Sequence, residues 1–215
     1  MSDGRPPGLY LLTPRLTDAA AFLPRLEAVL EAVDVACLLL DLDLRDASQA
    51  KKLVRAIAAP AQRRDAAVLV RDPVLAARAG ADGVHIGASE RLEADLRAAI
   101  DSLRPERIVG VGGLRTRHEA MIAGELEADY LMFGEPSGEH ASDPPQDTLE
   151  RVSWWAEIFT APCVGYASEI EAAAALARAG ADFVALGEAV WSASDPARAA
   201  ADFVRALEEN GVKGS

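Results

Sequence analysis

The chain has 215 residues, 50% of them apolar, and its 34 acidic side chains outnumber its 22 basic ones, for a formal net charge of −12. That length and apolar content suit a single domain, and the charge argues against partners such as nucleic acid or an anionic membrane surface. Cys37 and Cys163 fall in apolar segments, and the sequence lacks both a long apolar stretch and an N-terminal signal region. We therefore predict a cytoplasmic protein without disulfides.

Eight short apolar segments alternate with alanine-rich amphipathic segments along the chain. The predicted strands are 8–13, 35–42, 67–71, 83–87, 108–111, 130–134, 163–165 and 183–187. The predicted helices are 16–32, 48–59, 73–79, 92–103, 117–126, 148–159, 168–179 and 196–209. Near-continuous apolar character is typical of parallel strands covered on both faces. The pattern predicts one α/β domain over 1–215, a parallel eight-stranded (β/α)8 TIM barrel with its site at the carboxyl ends of the strands.

A repeated motif supports the barrel. Three segments, 81–87, 128–134 and 181–187, each read as Ala-Asp, an apolar run and a closing glycine. In two of them a glycine, Gly80 or Gly180, precedes the motif and can take the left-handed turn that ends a helix. A repeated strand unit at regular intervals indicates a closed parallel architecture.

Local signals predict several helix ends. Pro60 is expected to stop the second helix, and Asp195 before Pro196 is typical of an N-cap followed by a first-turn proline. Ser168 and Glu171 have the spacing of a capping box.

The longest polar connection, 137–146, follows the sixth predicted strand. It lies on the face where barrel loops form active sites, so it is either a mobile lid or an ordinary surface loop. His140 within it is either a cation at mildly acidic pH or an exposed loop histidine.

Several motifs occur in one order along the chain: GLYLLT at 8–13, GADGVHIG at 80–87, and shorter matches around 110 and 128–134. Together they resemble the thiamine phosphate synthase and thiazole tautomerase superfamily over essentially the whole chain. The resemblance implies a TIM barrel that joins a pyrimidine diphosphate to a thiazole phosphate and releases pyrophosphate with the help of Mg²⁺. Departure of pyrophosphate requires cations around its oxygens.

The cations expected from the resemblance are partly replaced. The family carries Gln, Arg and Lys at alternate positions near the end of the second strand, where this chain has Leu39, Asp41 and Asp43. The family lysine after the sixth strand is missing from 135–140. Candidate replacement cations, and so candidate catalytic residues, are Arg45, Arg71 and Arg115.

The metal ligands implied by the resemblance are Asp72, after the third strand, and Glu90, after the fourth. Carboxylates are suitable ligands for Mg²⁺, which usually binds through one or two of them together with substrate phosphates. An alternative is open for Asp72, because an aspartate before a proline is also typical of a helix N-cap.

The thiazole phosphate would lie on the loops after the seventh and eighth strands, at Gly165, Gly187 and Glu188. The capping box predicted at Ser168 and Glu171 would use the backbone N–H groups at the start of the helix after the seventh strand. Glu169 and Glu171 would repel phosphate if they face the site.

Two histidine positions bear on the chemistry. His85 matches the motif histidine, and a packed, hydrogen-bonded role is favoured over catalysis. The histidine that the tautomerase branch carries after the fifth strand is replaced by Leu114 or Arg115, so that proton shuttle is absent.

Two hypotheses follow. The first is a divergent synthase of thiamine biosynthesis, either active or impaired, that uses Mg²⁺ on Asp72 and Glu90. The second is a non-catalytic or repurposed barrel whose acidic mouth binds a cationic small molecule or a protein partner. The acidic residues in question are Asp41, Asp43, Asp72, Glu90, Glu135 and Glu188. Trp154, Trp155 and Trp191 either form a subunit interface in a homo-oligomer or shield the barrel wall.

Overall fold

A computed structural model describes residues 5–136 and 143–211. Eight parallel strands form a closed barrel in which each strand pairs with the next and the eighth pairs with the first. The strands are β1 Gly8–Leu16, β2 Cys37–Leu42, β3 Ala67–Val70, β4 Gly83–Ile86, β5 Ile108–Val111, β6 Tyr130–Phe133, β7 Cys163–Tyr166 and β8 Phe183–Leu186. The predicted TIM barrel is confirmed, with every predicted strand overlapping an observed one.

Helices pack around the outside of the strands. They are α1 Ala19–Ala32, α2 Ala47–Gln62, α3 Pro73–Ala79, α4 Leu92–Leu103, α5 Arg117–Glu125, α6 Pro145–Ile158, α7 Ile170–Arg178, α8 Glu188–Trp191 and α9 Pro196–Asn210. Asp195 caps α9 ahead of a proline, as predicted, and Asp72 caps α3 ahead of another proline, which is the alternative left open for it. Gly80 ends α3 with φ of 81°, the left-handed conformation expected of it. None of the described helices is long and apolar enough to cross a bilayer.

The predicted end of β1, the predicted start of α1 and the predicted end of α2 were wrong. β1 continues to Leu16, and α1 starts only after Asp18, whose carboxylate accepts a hydrogen bond from the Ala20 N–H. Pro60 does not stop α2, which runs on to Gln62. A proline this close to a helix end removes only one hydrogen bond, and Pro60 is buried, so its packing helps to offset that loss.

The predicted capping box at Ser168 and Glu171 is also absent. Glu169 is the N-cap of α7, and no side chain in the described part of the chain caps this helix. The argument that a box would use the N–H groups at the start of α7 therefore fails. One short helix that was not predicted, α8, follows β8 directly.

The aspartate of the repeated motif joins neighbouring strands at the amino end of the barrel. Asp82 accepts a hydrogen bond from the Val68 N–H at 2.7 Å, and Asp129 accepts one from the Val109 N–H at 2.7 Å. Asp182 accepts one from the Cys163 N–H at 2.8 Å. The start of each even strand from β4 to β8 is thus tied to the start of the odd strand before it, which explains why the motif recurs at alternate strands.

We expect Asp129→Ala to lower the free energy of unfolding by about 1.5–3 kcal/mol, because it leaves the partly buried Val109 N–H without its charged acceptor. Urea denaturation followed by circular dichroism measures this. Asp101→Ala, an exposed aspartate on α4, is the matched control and should change stability by less than about 0.5 kcal/mol. Equal losses in the two variants would contradict the role assigned to Asp129.

Two apolar clusters stabilise the fold. The larger lies between strands and helices, and the smaller fills the barrel with inward-facing side chains from alternate strand positions. Cys37 and Cys163 are buried free thiols, as predicted. Trp155 and Trp191 are buried within the chain, at 0% and 5% exposure, so of the three tryptophans proposed for an interface these two shield the barrel instead.

Candidate active site

Three cavities open at the carboxyl ends of the strands, and Asp41 and Arg71 line all three. The central cavity, of about 1000 Å³, lies above β3, β4 and β6 and extends to α4. The second, of about 580 Å³, lies between the segments that follow β2 and β3. The third, of about 370 Å³, lies between β1 and β8. This is the barrel face where the sequence placed the site.

The end of β2 positions the two aspartates that replace family cations. Leu39 belongs to the cluster inside the barrel, and Asp41, two residues further along the strand, reaches the mouth. The Asp41 N–H donates to Thr13 Oγ1 at 2.9 Å, which fixes the strand end against β1. Asp43 lies beyond β2 and pairs with Arg15 at 3.6 Å, with both side chains exposed.

Charge is distributed unevenly over the mouth, which the sequence predicted to be acidic. The central cavity has three carboxylates, from Asp41, Asp95 and Glu135, against Arg15 and Arg71. The cavity between the β2 and β3 ends has the opposite balance. Its charged lining comprises the cations Arg45, Lys51, Arg71 and Arg78 and the anions Asp41 and Asp72. The β2–β3 cavity therefore favours a polyanion. The central cavity, with its excess of carboxylates, favours a group that donates hydrogen bonds.

A chain of polar side chains runs through the barrel interior to the central cavity. The hydroxyls of Tyr10 and Tyr130 are 2.8 Å apart, and the Tyr130 hydroxyl is 2.7 Å from His85 Nδ1. His85 Nε2 lies 2.8 Å from Glu135 Oε2, at ion-pair distance but not aligned as a hydrogen bond. His85 is fully buried, in agreement with the packed, hydrogen-bonded role favoured for it.

Gly110 allows this chain to form. It lies on β5, in register with His85 on β4 and Tyr130 on β6. A Cβ atom at Gly110 would lie 2.0 Å from the Tyr130 ring, so any other residue would push the ring away from His85. Burial raises the pKa of Tyr10 and Tyr130 well above its ordinary value, so both hydroxyls stay protonated at neutral pH.

Glu135 follows β6 and ends the polar chain at the mouth. Burial by itself raises the pKa of its carboxyl, but the His85 ring and the Arg71 guanidinium outweigh that effect and hold the pKa below its ordinary value. Arg71 Nη2 lies 3.9 Å from Glu135 Oε2. The carboxylate is therefore ionised at neutral pH even though only 1% of its side chain is exposed.

The two predicted metal ligands face different spaces. Asp72 lines the β2–β3 cavity together with Asp41, and its Oδ1 also accepts hydrogen bonds from the backbone of α3. Glu90 is exposed and lines a separate shallow cavity over α4. Among the described residues no cluster of three or more His, Cys, Asp or Glu side chains could hold a metal ion.

The remaining predicted residues are scattered. Arg45 lines the β2–β3 cavity, and Gly187 and Glu188 line the cavity between β1 and β8. Gly165 faces the helix layer, since a Cβ atom there would contact Leu176 of α7. Arg115 is exposed, and its backbone N–H bonds to Glu119 in the capping box of α5. His140 and most of the predicted lid lie outside the described residues.

Sequence reasoning missed three contributors to the site. Arg15 lines two of the cavities because β1 extends further than predicted. The other two are the Tyr130 hydroxyl, which contacts His85, and the Tyr10 hydroxyl, which contacts Tyr130. The sequence signal for this contact is Gly110, a glycine within the strand that lies between His85 and Tyr130, because a glycine inside a strand often marks the close approach of a neighbouring group.

Comparison with known proteins bears directly on this barrel. A family model described as thiamine monophosphate synthase matches residues 9–190. This chain is a member of that family. A thiamine-phosphate synthase of Rhodospirillum centenum is 41% identical over 96% of this chain and 99% of its own length. One from Hyphomonas neptunium is 36% identical over 94% of each chain.

A solved structure agrees in fold. Thiamine phosphate pyrophosphorylase from Pyrococcus furiosus superposes with a TM-score of 0.76 and 22% identity, covering 94% of this chain and 96% of that one. The resemblance inferred from GADGVHIG and its companion motifs is confirmed. The thiamine monophosphate synthase family thus includes this chain, although the chain lacks several of the cations expected from the resemblance.

Proposed function

We propose that the protein is a thiamine-phosphate synthase, which joins a pyrimidine diphosphate to a thiazole phosphate and releases pyrophosphate. Membership of the family and the names of the relatives support this function. The structural observation that carries it is the β2–β3 cavity, where three arginines and a lysine outnumber two aspartates. Cations gathered around a leaving pyrophosphate are the main requirement of this reaction.

In this proposal the diphosphate occupies the β2–β3 cavity beside Arg45, Lys51 and Arg71. These side chains neutralise the charge that develops as the carbon–oxygen bond to pyrophosphate breaks, while the thiazole ring nitrogen forms the new carbon–nitrogen bond. Arg71 has the central place because it also lines the two neighbouring cavities. Its planar guanidinium is suited to bidentate contact with phosphate oxygens.

The thiazole phosphate fits the cavity between β1 and β8. Loops after the seventh and eighth strands and a short extra helix commonly form the phosphate site of such barrels, and α8 is a helix of this kind. Arg15 and Arg25 line this cavity with Gly187, and they offset the negative charge of Glu188. Trp191 of α8 donates its indole N–H to the Leu12 carbonyl at 2.7 Å, which holds the short helix in place.

Magnesium is implied by the family, and the residues present fit it in a limited way. Mg²⁺ usually binds through one or two carboxylates plus substrate phosphates, so the lack of a three-ligand cluster in the described residues is no obstacle. Asp41 and Asp72 line the same cavity and are the pair that would hold it, whereas Glu90 as a ligand remains a prediction from the sequence. When bound, the ion would supply further positive charge to the leaving pyrophosphate.

The test is a synthase assay with pyrimidine diphosphate, thiazole phosphate and Mg²⁺, with thiamine phosphate measured by its fluorescence after oxidation. Product well above a blank without enzyme is expected. No product above that blank, from protein shown to be folded by circular dichroism, would reject the proposed activity.

The three carboxylates of the central cavity favour a second candidate, a barrel that binds a cationic small molecule. Thermal unfolding separates the two, because a ligand stabilises the fold that binds it. Stabilisation by phosphates only when Mg²⁺ is present indicates the synthase. Stabilisation by unphosphorylated thiamine or by polyamines indicates the alternative.

A further inference from the structure

Arg71 reaches the barrel mouth from a strand other than the one where the resemblance expects cations. The cations expected at the end of β2 are replaced, whereas Arg71 directly follows β3 and lines all three cavities. Its side chain is 35% exposed, and a long arginine side chain with that much freedom has many rotamers. A guanidinium shared by three cavities contributes most to binding when its position is fixed before the ligand arrives.

Glu135 is the group that lies next to this guanidinium. Its Oε2 is 3.9 Å from Arg71 Nη2, and among the described residues it is the ion-pair partner of Arg71. The Glu135 side chain is itself well fixed, because it is only 1% exposed and His85 Nε2 lies 2.8 Å from the same oxygen. The carboxylate is therefore a rigid, negatively charged neighbour for a flexible cation.

Two glycines make room for this pair. A Cβ atom at Gly112, after β5, would lie 2.5 Å from Glu135 Oε1, so the carboxyl group lies directly against the backbone there. A Cβ atom at Gly87, after β4, would lie 3.0 Å from Arg71 Nη1, so the guanidinium lies over the end of β4. The arginine from β3 thus crosses β4 and meets a carboxylate that follows β6.

We infer that Glu135 is a positioning residue, which holds the Arg71 guanidinium at the junction of the three cavities so that pyrophosphate meets a cation that is already oriented. The inference rests on the proposed function and identifies what orients its central cation. Glu135 needs no contact with the substrate for this role, in keeping with its buried oxygens. One edge of the guanidinium faces Glu135, and its other N–H groups stay available to phosphate oxygens.

Electrostatic repulsion alone predicts the opposite effect for this carboxylate. A negative charge close to a phosphate site repels the anion, so its removal would strengthen binding of pyrophosphate. A positioning role predicts weaker binding, because the arginine side chain must then be ordered when the ligand binds, at a cost in affinity. The direction of the change therefore distinguishes a positioning residue from a charge that merely lies nearby.

The test measures binding of inorganic pyrophosphate with Mg²⁺ by isothermal calorimetry, together with kcat/KM in the synthase assay. Glu135→Gln should weaken binding and lower kcat/KM by about 3- to 10-fold each, the effect of ordering one long side chain on binding. In the Arg71→Gln background the same substitution should change either quantity by less than about twofold, since no guanidinium remains to be positioned. Tighter binding in Glu135→Gln, or equal losses in the two backgrounds as a merely structural role would give, would overturn the inference.

Gly87→Ala tests the same contact and leaves Glu135 intact. The backbone of Gly87 is not in the left-handed region, so alanine is compatible with it, and the added methyl group would displace Arg71 Nη1. We expect losses of about 2- to 5-fold that disappear in the Arg71→Gln background. Glu150→Gln, an exposed glutamate of α6 paired with Arg117, is the matched control and should retain wild-type values. If Glu135→Gln does not fold, wild-type binding and kcat/KM in Gly87→Ala would overturn the inference.

The two proposals fail in different ways. Product from wild type, with undiminished kcat/KM in Glu135→Gln and Gly87→Ala, rejects the positioning role and leaves the synthase standing. No product, with pyrophosphate binding that weakens in Glu135→Gln and depends on Arg71, rejects the synthase and leaves the positioning role. Wild type that neither forms product nor binds pyrophosphate rejects both.

Discussion

Replacing Arg71 with Gln is expected to lower kcat/KM for thiamine phosphate formation by about 10²- to 10³-fold, the effect of removing one preorganised charge from a site that stabilises a leaving anion. Arg71 lines all three cavities at the barrel mouth, and it lies 3.9 Å from the Glu135 carboxylate. Its loss therefore weakens binding of the diphosphate and removes the cation next to the Glu135 carboxylate. Steady-state kinetics with each substrate varied in turn measures the effect.

Two further variants make this prediction specific. Arg71→Lys keeps the charge without the planar fork, so its kcat/KM should fall between those of wild type and Arg71→Gln. Arg117→Gln removes an exposed arginine that pairs with Glu150 on the outer helices, and it should leave kcat/KM within about twofold of wild type because surface pairs contribute little. Wild-type activity in Arg71→Gln would show that the diphosphate lies elsewhere.

The barrel was predictable from sequence because the same backbone hydrogen bonds and turns recur along the chain and require the same residues each time. Each repeated aspartate, such as Asp82 or Asp129, accepts the N–H at the start of the strand before it, so alternate strands share one motif. Gly80 is needed where a helix ends in a left-handed turn. Because the same requirement recurs in successive units of the chain, it leaves a repeated motif that a single sequence shows.

The charge pattern of the mouth was not predictable in the same way. Counting acidic residues predicts an acidic mouth, but Asp43 pairs with Arg15, and Arg78 of α3 adds a cation to the β2–β3 cavity that the sequence did not indicate. Which side chains share a cavity depends on strand register and on where helices pack. That information lies in contacts between residues distant in sequence.

The polar chain inside the barrel likewise depends on contacts between residues that are distant in sequence. His85 was correctly expected to be buried and hydrogen-bonded, yet its partners Tyr130 and Glu135 lie about 50 residues away along the chain. Only the register of β4, β5 and β6 brings them together across Gly110. The sequence places Glu135 among the acidic residues of the mouth, but it does not indicate that this side chain is only 1% exposed.

The close contact between His85 and Glu135 leads to the second large expected effect, which concerns stability. We expect His85→Leu to lower the free energy of unfolding at pH 8 by about 3 kcal/mol, the upper end of the cost of leaving a buried polar group without its partner, because the group left behind is a carboxylate. Without the ring, the cation that remains near Glu135 among the described residues is Arg71 at 3.9 Å, and the Arg71 side chain is 35% exposed and so partly screened by solvent. Urea denaturation at several pH values measures the loss.

The pH dependence gives this prediction its sign. In wild type the pKa of Glu135 lies below its ordinary value, so the stability it contributes is present above about pH 4.5 and is lost as the pH falls further. In His85→Leu the effect of burial dominates, and the pKa of Glu135 rises above its ordinary value. The carboxyl then ionises more readily in the unfolded state than in the folded state, so the fold loses stability as the pH increases. Adding Glu135→Gln to His85→Leu removes that charge, and the double variant should be more stable than His85→Leu at pH 8, by an amount that shrinks toward pH 5. A constant difference between these two variants from pH 5 to pH 8 would mean that the Glu135 charge does not depend on His85, because a substitution that only alters packing has no reason to titrate.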